Sequence, residues 1–286
     1  MAKRLDFRLM AGVAKRWAKI DGWVERARNA GQNLLGGFLS EALDVEEQSA
    51  IGPLVYDARD TVHEGLFDWE ETWLAARLPP APALVLVGAA GGGREAVVLA
   101  QRGYHVTAFD PREEGSTRCR TRLGEGATVV TTSYEALARA VLDGERNEAS
   151  PIAALRFDAV LLGWGSFGHV LDARERERLL DALVRVCPEG PILASFPLAK
   201  ADGREGRMER GGRWVGRRLG ALRSVGPHQP RRLFYGSHYG FVAMLSRDEI
   251  TALGRRVGRE TLWGSGAYPH VTWPAPTRGP TRAPDA

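Results

Sequence analysis

Apolar positions in this chain follow two rhythms. Near the start, Leu5, Leu9, Val13, Trp17, Ile20 and Val24 recur at three- and four-residue steps, which makes one face of a helix. Lys15, Arg16, Lys19, Arg26 and Arg28 lie off that face. The pattern predicts a mostly helical segment over 1–50, suited to a lid, a membrane-surface helix or an extra helix packed on a core. Gly36-Gly37 and Gly52-Pro53 punctuate it, and Pro79-Pro80-Ala81-Pro82 is a stiff linker. Beyond it, short apolar runs alternate with helical periods. Strands are predicted near 83–88, 104–109, 127–131, 157–163 and 191–196, and helices near 93–102, 112–122, 134–143 and 173–186. Asp172 with Glu175 caps the last of these helices, and Ser246 with Glu249 opens another. Glu260–Trp263 and Tyr268–Trp273 then form a closing antiparallel pair.

Strands alternating with helices imply a parallel sheet covered on both faces. The expected fold class is α/β: a doubly wound, mostly parallel seven-stranded sheet with an antiparallel last strand. The chain divides into an N-terminal helical extension over 1–80 and a Rossmann-like domain over 81–273. An insertion after strand five spans 197–240, and a disordered tail spans 274–286. The insertion is Gly/Arg-rich, contains Trp214, Phe234, Tyr235 and Tyr239, and fits no core element. A long segment at the carboxyl edge of such a sheet reads as a substrate flap, or else as a structural hairpin.

Composition narrows the classes. The 286 residues are 44% hydrophobic and 26% charged, ordinary values for a globular chain. No apolar run is long enough to cross a membrane, and no signal peptide is evident. Cys119 and Cys187 have no metal-ligand spacing, so no metal is expected and a cytoplasmic setting is. The net charge of +4 is unevenly spread: Lys3 to Arg28 hold eight Lys/Arg against Asp6, Asp21 and Glu25, and Arg204 to Arg232 are Arg-dense. These stretches read as solvated faces rather than a nucleic-acid surface.

The most chemical stretch is Leu84 to Pro111. An apolar strand runs into Gly91-Gly92-Gly93, a helix follows from Arg94, and a second strand ends in Asp110. The glycines permit a sharp turn and close approach of a ligand, and the helix N-terminus adds free N–H groups. An acidic residue ending the second strand is placed to grip ribose hydroxyls. An adenosine-like ligand follows. Gly88, Gly91 and Gly93 also fit a loose dinucleotide pattern.

From about Leu84 to Trp273 the chain resembles the class I S-adenosylmethionine-dependent methyltransferases. The resemblance rests on the glycine turn, on Arg156 to Gly163 as a fourth strand, on Asp172 to Phe196 with Val186-Cys-Pro-Glu-Gly190, and on Met244 to Ile250. It implies S-adenosyl-L-methionine as cofactor, with contacts at Gly88, Ala89, Gly91, Gly93, Asp110, Pro111, Ser133, Tyr134, Gly163 and Trp164. Tyr56, upstream of the first strand, would close over the cofactor. Two positions depart from the family pattern: Val87 stands where an acidic residue is common, and Ala89 where the first glycine falls. His169, after Gly-Ser-Phe-Gly, is the best single candidate for a catalytic base, since its unperturbed pKa of about 6.5 suits proton transfer near neutrality. His63 and His238 are weaker candidates.

The expected reaction is methyl transfer to an oxygen or nitrogen of a small molecule. RNA or protein methylation and a non-catalytic methyltransferase-fold scaffold remain alternatives. A short-chain reductase would show Tyr-x-x-x-Lys, and none of the six tyrosines has a lysine four residues on. Substrate, acceptor atom and oligomeric state stay open.

Overall fold

The computed structural model describes residues 7–55, 65–199, 207–222, 233–236 and 239–276. Three helices come first: α1 (Phe7–Ala42), α2 (Val45–Val55) and α3 (Asp68–Arg77). Strands and helices then alternate as β1 (Leu84–Gly88), α4 (Arg94–Gln101), β2 (His105–Asp110), α5 (Glu113–Leu123), β3 (Thr128–Thr131) and α6 (Tyr134–Leu142). A short α7 (Ser150–Ala153), β4 (Ala159–Leu162), a 3-10 turn (Ser166–His169), α8 (Ala173–Val186) and β5 (Ile192–Ser195) follow. The chain ends with α9 (Arg207–Ala221), β6 (Leu233–Gly236), β7 (Gly240–Ala243), α10 (Arg247–Arg256), β8 (Leu262–Trp263) and β9 (His270–Trp273).

Among the described residues the main sheet has seven strands in the order β3-β2-β1-β4-β5-β9-β8. Only β9 runs against the rest: it is antiparallel to both β5 and β8. The anticipated fold class is therefore the observed one. The centre of the sheet is covered on both faces, as its sequence requires. Leu86 of β1 joins one buried cluster, with Phe109, Val160 and Leu180, while its neighbours Val85 and Val87 join the other, with Leu99, Ala108 and Leu161. That is the two-residue period of a strand buried on both sides. Helix α8 starts where its cap dictates, since the Asp172 side chain accepts from the amides of Arg174 and Glu175. Ser246 and Glu249 form the capping box of α10.

Within 1–80, α3 belongs to the core. Trp73 and Leu74 are buried against one sheet face, and Trp73 Nε1 donates to Thr272 Oγ1 at 2.9 Å. The insertion differs from its reading as a segment with no core element. It supplies α9 and half of the β6–β7 hairpin, and α9 runs parallel to α1 at backbone contact. A Cβ at Gly212, Gly216 or Gly220 would collide with the carbonyl oxygens of Ala30, Leu34 and Phe38 in turn, and one at Gly37 with the α9 backbone. These glycines pack two helices rather than loosen a loop. The proposed tail over 274–286 lies outside the described residues from 277 on.

Candidate functional site

The carboxyl ends of β1, β2, β3 and β4 meet at one edge of the sheet. After β1 the chain turns through left-handed conformations at Ala89 (φ 50), Gly91 (φ 51) and Gly93 (φ 82). Ala89 thus adopts a backbone conformation that usually calls for glycine. At Gly93 the turn is also tight, because a Cβ would sit 2.8 Å from Cys119 Sγ. Gly91 and Gly92, by contrast, have nothing within 4 Å of a built Cβ, so the outer face of the turn is open. Gly88 faces inward, against Leu162, Phe109 and Tyr134.

Asp110 closes β2 beside this turn. It is only 4% exposed. Its Oδ2 accepts from the Gly91 amide at 2.8 Å and its Oδ1 from the Arg112 amide at 3.0 Å. Burial pushes its carboxyl above the usual range, and those two amides and the Arg112 guanidinium pull it back. Each oxygen keeps a further lone pair, so the carboxylate can accept more bonds. Pro111 is exposed next to it.

After β3, the three successive side chains do different work. The Ser133 hydroxyl caps α6 by accepting from Ala136 N at 3.2 Å. Tyr134 is buried, stands edge-on to Phe109, and donates to Ser166 Oγ at 3.0 Å. Burial raises the Tyr134 phenol far above its ordinary value, so it stays protonated. Thr132, which sequence reasoning passed over, is buried with a hydroxyl that has no hydrogen-bond partner in the structure. Its amide donates to the Asp110 carbonyl at 3.1 Å, which fixes it beside that carboxylate. A buried hydroxyl without a partner is costly and signals a missing one.

A charged cluster flanks the turn on the other side. Arg94 opens α4 and meets Glu70 of α3 through two bonds, Nη1–Oε2 at 2.6 Å and Nη2–Oε1 at 2.7 Å. It also bonds Glu95 Oε1 at 2.6 Å and the Gly65 carbonyl at 3.0 Å. Its guanidinium lies 4.9 Å from the Phe67 ring centre and 5.7 Å from that of Trp164. Burial raises the Glu95 carboxyl, with Arg94 opposing the shift. Gly163 adjoins it closely: a Cβ there would strike the Glu95 carboxylate. Sequence reasoning did not single out Arg94, Glu95 or Glu70. Arg94 and Glu95, directly after the glycine turn, were the available signal; Glu70, on α3, carried none in the sequence.

Trp164, half exposed, stands edge-on to Phe67 at 5.2 Å. Trp69, Trp73, Tyr268 and His270 continue an aromatic wall, with Trp69 5.7 Å from Tyr268 and 5.0 Å from His270. His169 ends the 3-10 turn and is exposed, 6.5 Å from the Tyr239 ring that enters β7. Although solvent reaches it, the surrounding protein partly desolvates it. That desolvation holds the imidazole below its usual range, against a backbone hydrogen bond with Phe241. Tyr56, His63 and His238 lie outside the described residues. Burial pushes the Cys119 and Cys187 thiols up to about 11, so neither is a nucleophile near neutrality. Among the described residues no cluster of side chains fits a metal ion.

This arrangement defines a Rossmann-like α/β protein whose glycine turn, Asp110 and Thr132 gather at the sheet's carboxyl edge. Comparison with solved structures identifies the fold as that of the class I S-adenosylmethionine-dependent methyltransferases. A SAM-dependent methyltransferase from Methanosarcina mazei aligns with a TM-score of 0.52 at 14% identity, over 75% of this chain and 100% of that one. One from Bacteroides fragilis, in complex with S-adenosyl-L-homocysteine, aligns at 0.51 and 15% identity, over 77% and 82%. Uncharacterized proteins of Mycobacterium tuberculosis and Mycobacterium bovis are 30% identical over 182 residues. The match covers 62% of this chain and 57% of theirs. No family model matches the chain.

Proposed function

We propose that this chain is a methyltransferase that binds S-adenosyl-L-methionine and methylates an oxygen or nitrogen of a small molecule. One observation carries the reading. The open Gly91–Gly92 turn, the Asp110 carboxylate with lone pairs to spare and the partnerless Thr132 hydroxyl line the same sheet edge. Together they offer what an adenosine group needs: a close backbone approach, an acceptor for ribose hydroxyls and a buried polar contact. The M. mazei and B. fragilis proteins of the same fold are SAM-dependent methyltransferases by name.

When bound, S-adenosyl-L-methionine supplies an electrophilic methyl group that an acceptor displaces directly. The chain's own residues bind and position. Gly91 and Gly93 shape the turn, Asp110 holds the ribose, and Thr132, with the backbone at Ser133 and Tyr134, borders the base. Gly163 and Trp164 border the transfer point. His169 stands edge-on to Tyr239 at 6.5 Å, which supports reading the end of 197–240 as a wall of the substrate site beside His169. Above its lowered pKa His169 is neutral and able to accept a proton from an acceptor hydroxyl or amine. The aromatic wall of Phe67, Trp69, Trp164 and Tyr268 favours a planar or apolar acceptor. Two free buried cysteines fit a reducing, cytoplasmic setting. No described helix is long and apolar enough to cross a membrane.

Calorimetric titration with S-adenosylhomocysteine and, separately, NADPH tests the proposal. S-adenosylhomocysteine at 100 times its dissociation constant should add about 2.7 kcal/mol of stability. A well-folded protein that ignores millimolar S-adenosylhomocysteine rules the reading out, and tight NADPH binding replaces it with a reductase.

A further inference from the structure

Helix α1 carries one continuous apolar stripe, and from Trp17 to Leu34 it is exposed. Met10, Val13, Trp17, Ile20, Val24, Ala27, Gly31, Leu34 and Phe38 alternate at steps of three and four in the sequence, the heptad spacing that seats one helix against another. Toward its carboxyl end, α9 lies beside the stripe: Gly216 abuts the Leu34 carbonyl and Gly220 the Phe38 carbonyl, while the Leu34 side chain stays 40% exposed. Because α9 runs parallel to α1 and begins at Arg207, it does not flank the earlier turns of α1. There Trp17 is 69% exposed, Ile20 53%, Trp23 62% and Val24 53%. The hairpin strand β6 meets α1 from another side, where Tyr235 sits over Gly36. Exposed apolar stripes of this size on a globular protein mark an interaction site.

We infer that the exposed stripe of α1 pairs with the same stripe of a second copy of this chain, as a parallel two-helix coiled coil. Four observations select this occupant. The stripe repeats at steps of three and four over the length of α1, the heptad spacing that suits a helix and not a flat surface. Its flanking positions complement themselves: in parallel register Arg16 of one copy stands opposite Asp21 of the other, and Trp23 opposite Arg28. The mixed signs beside the stripe, with Asp21 at its border, suit a protein partner better than an anionic lipid surface. The area is also adequate. Buried aromatic side chains cover roughly 150–250 Å² each, so Trp17, Trp23, Ile20 and Val24 offer on the order of 400 Å² per chain. Leu35 on α1 and Val215, Leu219 and Leu222 on α9 are exposed too. By helical periodicity they fall on the flank that continues the stripe, and they bring the face toward the roughly 800 Å² per partner of a stable interface.

Light scattering and sedimentation of the full chain at micromolar concentration test this. The expected result is twice the chain mass, falling to one chain in the double variant Ile20→Glu/Val24→Glu, with far-UV circular dichroism still showing a folded α/β protein because neither side chain reaches the core. Ile20→Cys should cross-link to itself under mild oxidation, since each residue of a parallel coil meets its own copy; Cys119 and Cys187 are buried and give no background. A monomeric parent overturns the inference. So does a dimer that survives the double variant, or one that Ile20→Cys leaves unlinked. A monomer that instead sediments with phosphatidylglycerol vesicles, and loses that in the double variant, assigns the stripe to a lipid surface.

Discussion

Arg94 and Glu70 meet through two parallel hydrogen bonds of 2.6 and 2.7 Å, which tie α3 of the N-terminal segment to the helix that follows the glycine turn. Both side chains are largely buried, at 11% and 3% exposed. Removing one partner of such a pair leaves the other charge uncompensated, at a cost of about 3–5 kcal/mol. Glu70→Gln keeps the shape and deletes the charge. Chemical denaturation should show a loss toward the low end of that range, since Glu95 still faces Arg94. Stability within 0.5 kcal/mol of the parent, or about that, would mean the pair adds no more than an exposed one.

The Ala89 backbone makes opposite predictions for two neighbouring positions. A left-handed conformation costs an L-residue about 1–2 kcal/mol, and glycine gives part of that back through its freer unfolded chain. Ala89→Gly should therefore raise stability by up to about 1 kcal/mol. Gly93→Ala should lower it by about 2 kcal/mol or more, since it adds the same strain and a Cβ against Cys119. Thermal melts of the two variants decide the matter; melting points shifted in the same direction would contradict the assigned turn.

Asp110 has a structural as well as a binding role. Its carboxylate holds the Gly91 and Arg112 amides, so Asp110→Ala strands two donors and should cost about 1–3 kcal/mol. The same change should weaken S-adenosylhomocysteine at least tenfold, about 1.4 kcal/mol, if the carboxylate also accepts from ribose. Thr132→Val leaves the fold's hydrogen bonds intact, because its hydroxyl has no partner in the protein. It should weaken the ligand without destabilising the protein, and a simple gain in stability with unchanged affinity would remove Thr132 from the site.

What could be read from the sequence was local. The β1–α4–β2 unit was legible because a strand, a turn and a helix each carry their own period and punctuation. The start of helix α8 was legible because Asp172 caps it visibly. Helix α9 was not found. Its glycines lower helix propensity and read as a loop, yet their four-residue spacing at Gly212, Gly216 and Gly220 was the sign of close helix packing. The apolar face of α1 was also visible, but not that its first turns would stay bare. Thr132 escaped because an unsatisfied hydroxyl is a property of its surroundings, not of its letter.

His169 separates a base-assisted reaction from one that works by positioning, and its pKa can be checked without knowing the acceptor. Desolvation holds the native imidazole below 6.5, so the native state binds fewer protons than the unfolded chain between the two values. Its contribution to stability is complete above about pH 6.5 and drains away as the pH falls through the native pKa. Proton NMR of the ring should give a midpoint under 6.5, and His169→Asn should flatten part of the acid-side loss in melting temperature. If the ring takes a proton from the acceptor, turnover should fall only on the acid side, with its midpoint at the same low value. The variant should then lose about 10²–10⁴-fold in kcat at little change in cofactor affinity. If alignment alone suffices, the variant should lose less than about tenfold and keep the parent's pH profile. A ring that titrates above 6.5 contradicts the desolvation of His169, and with it the basis for a neutral base there.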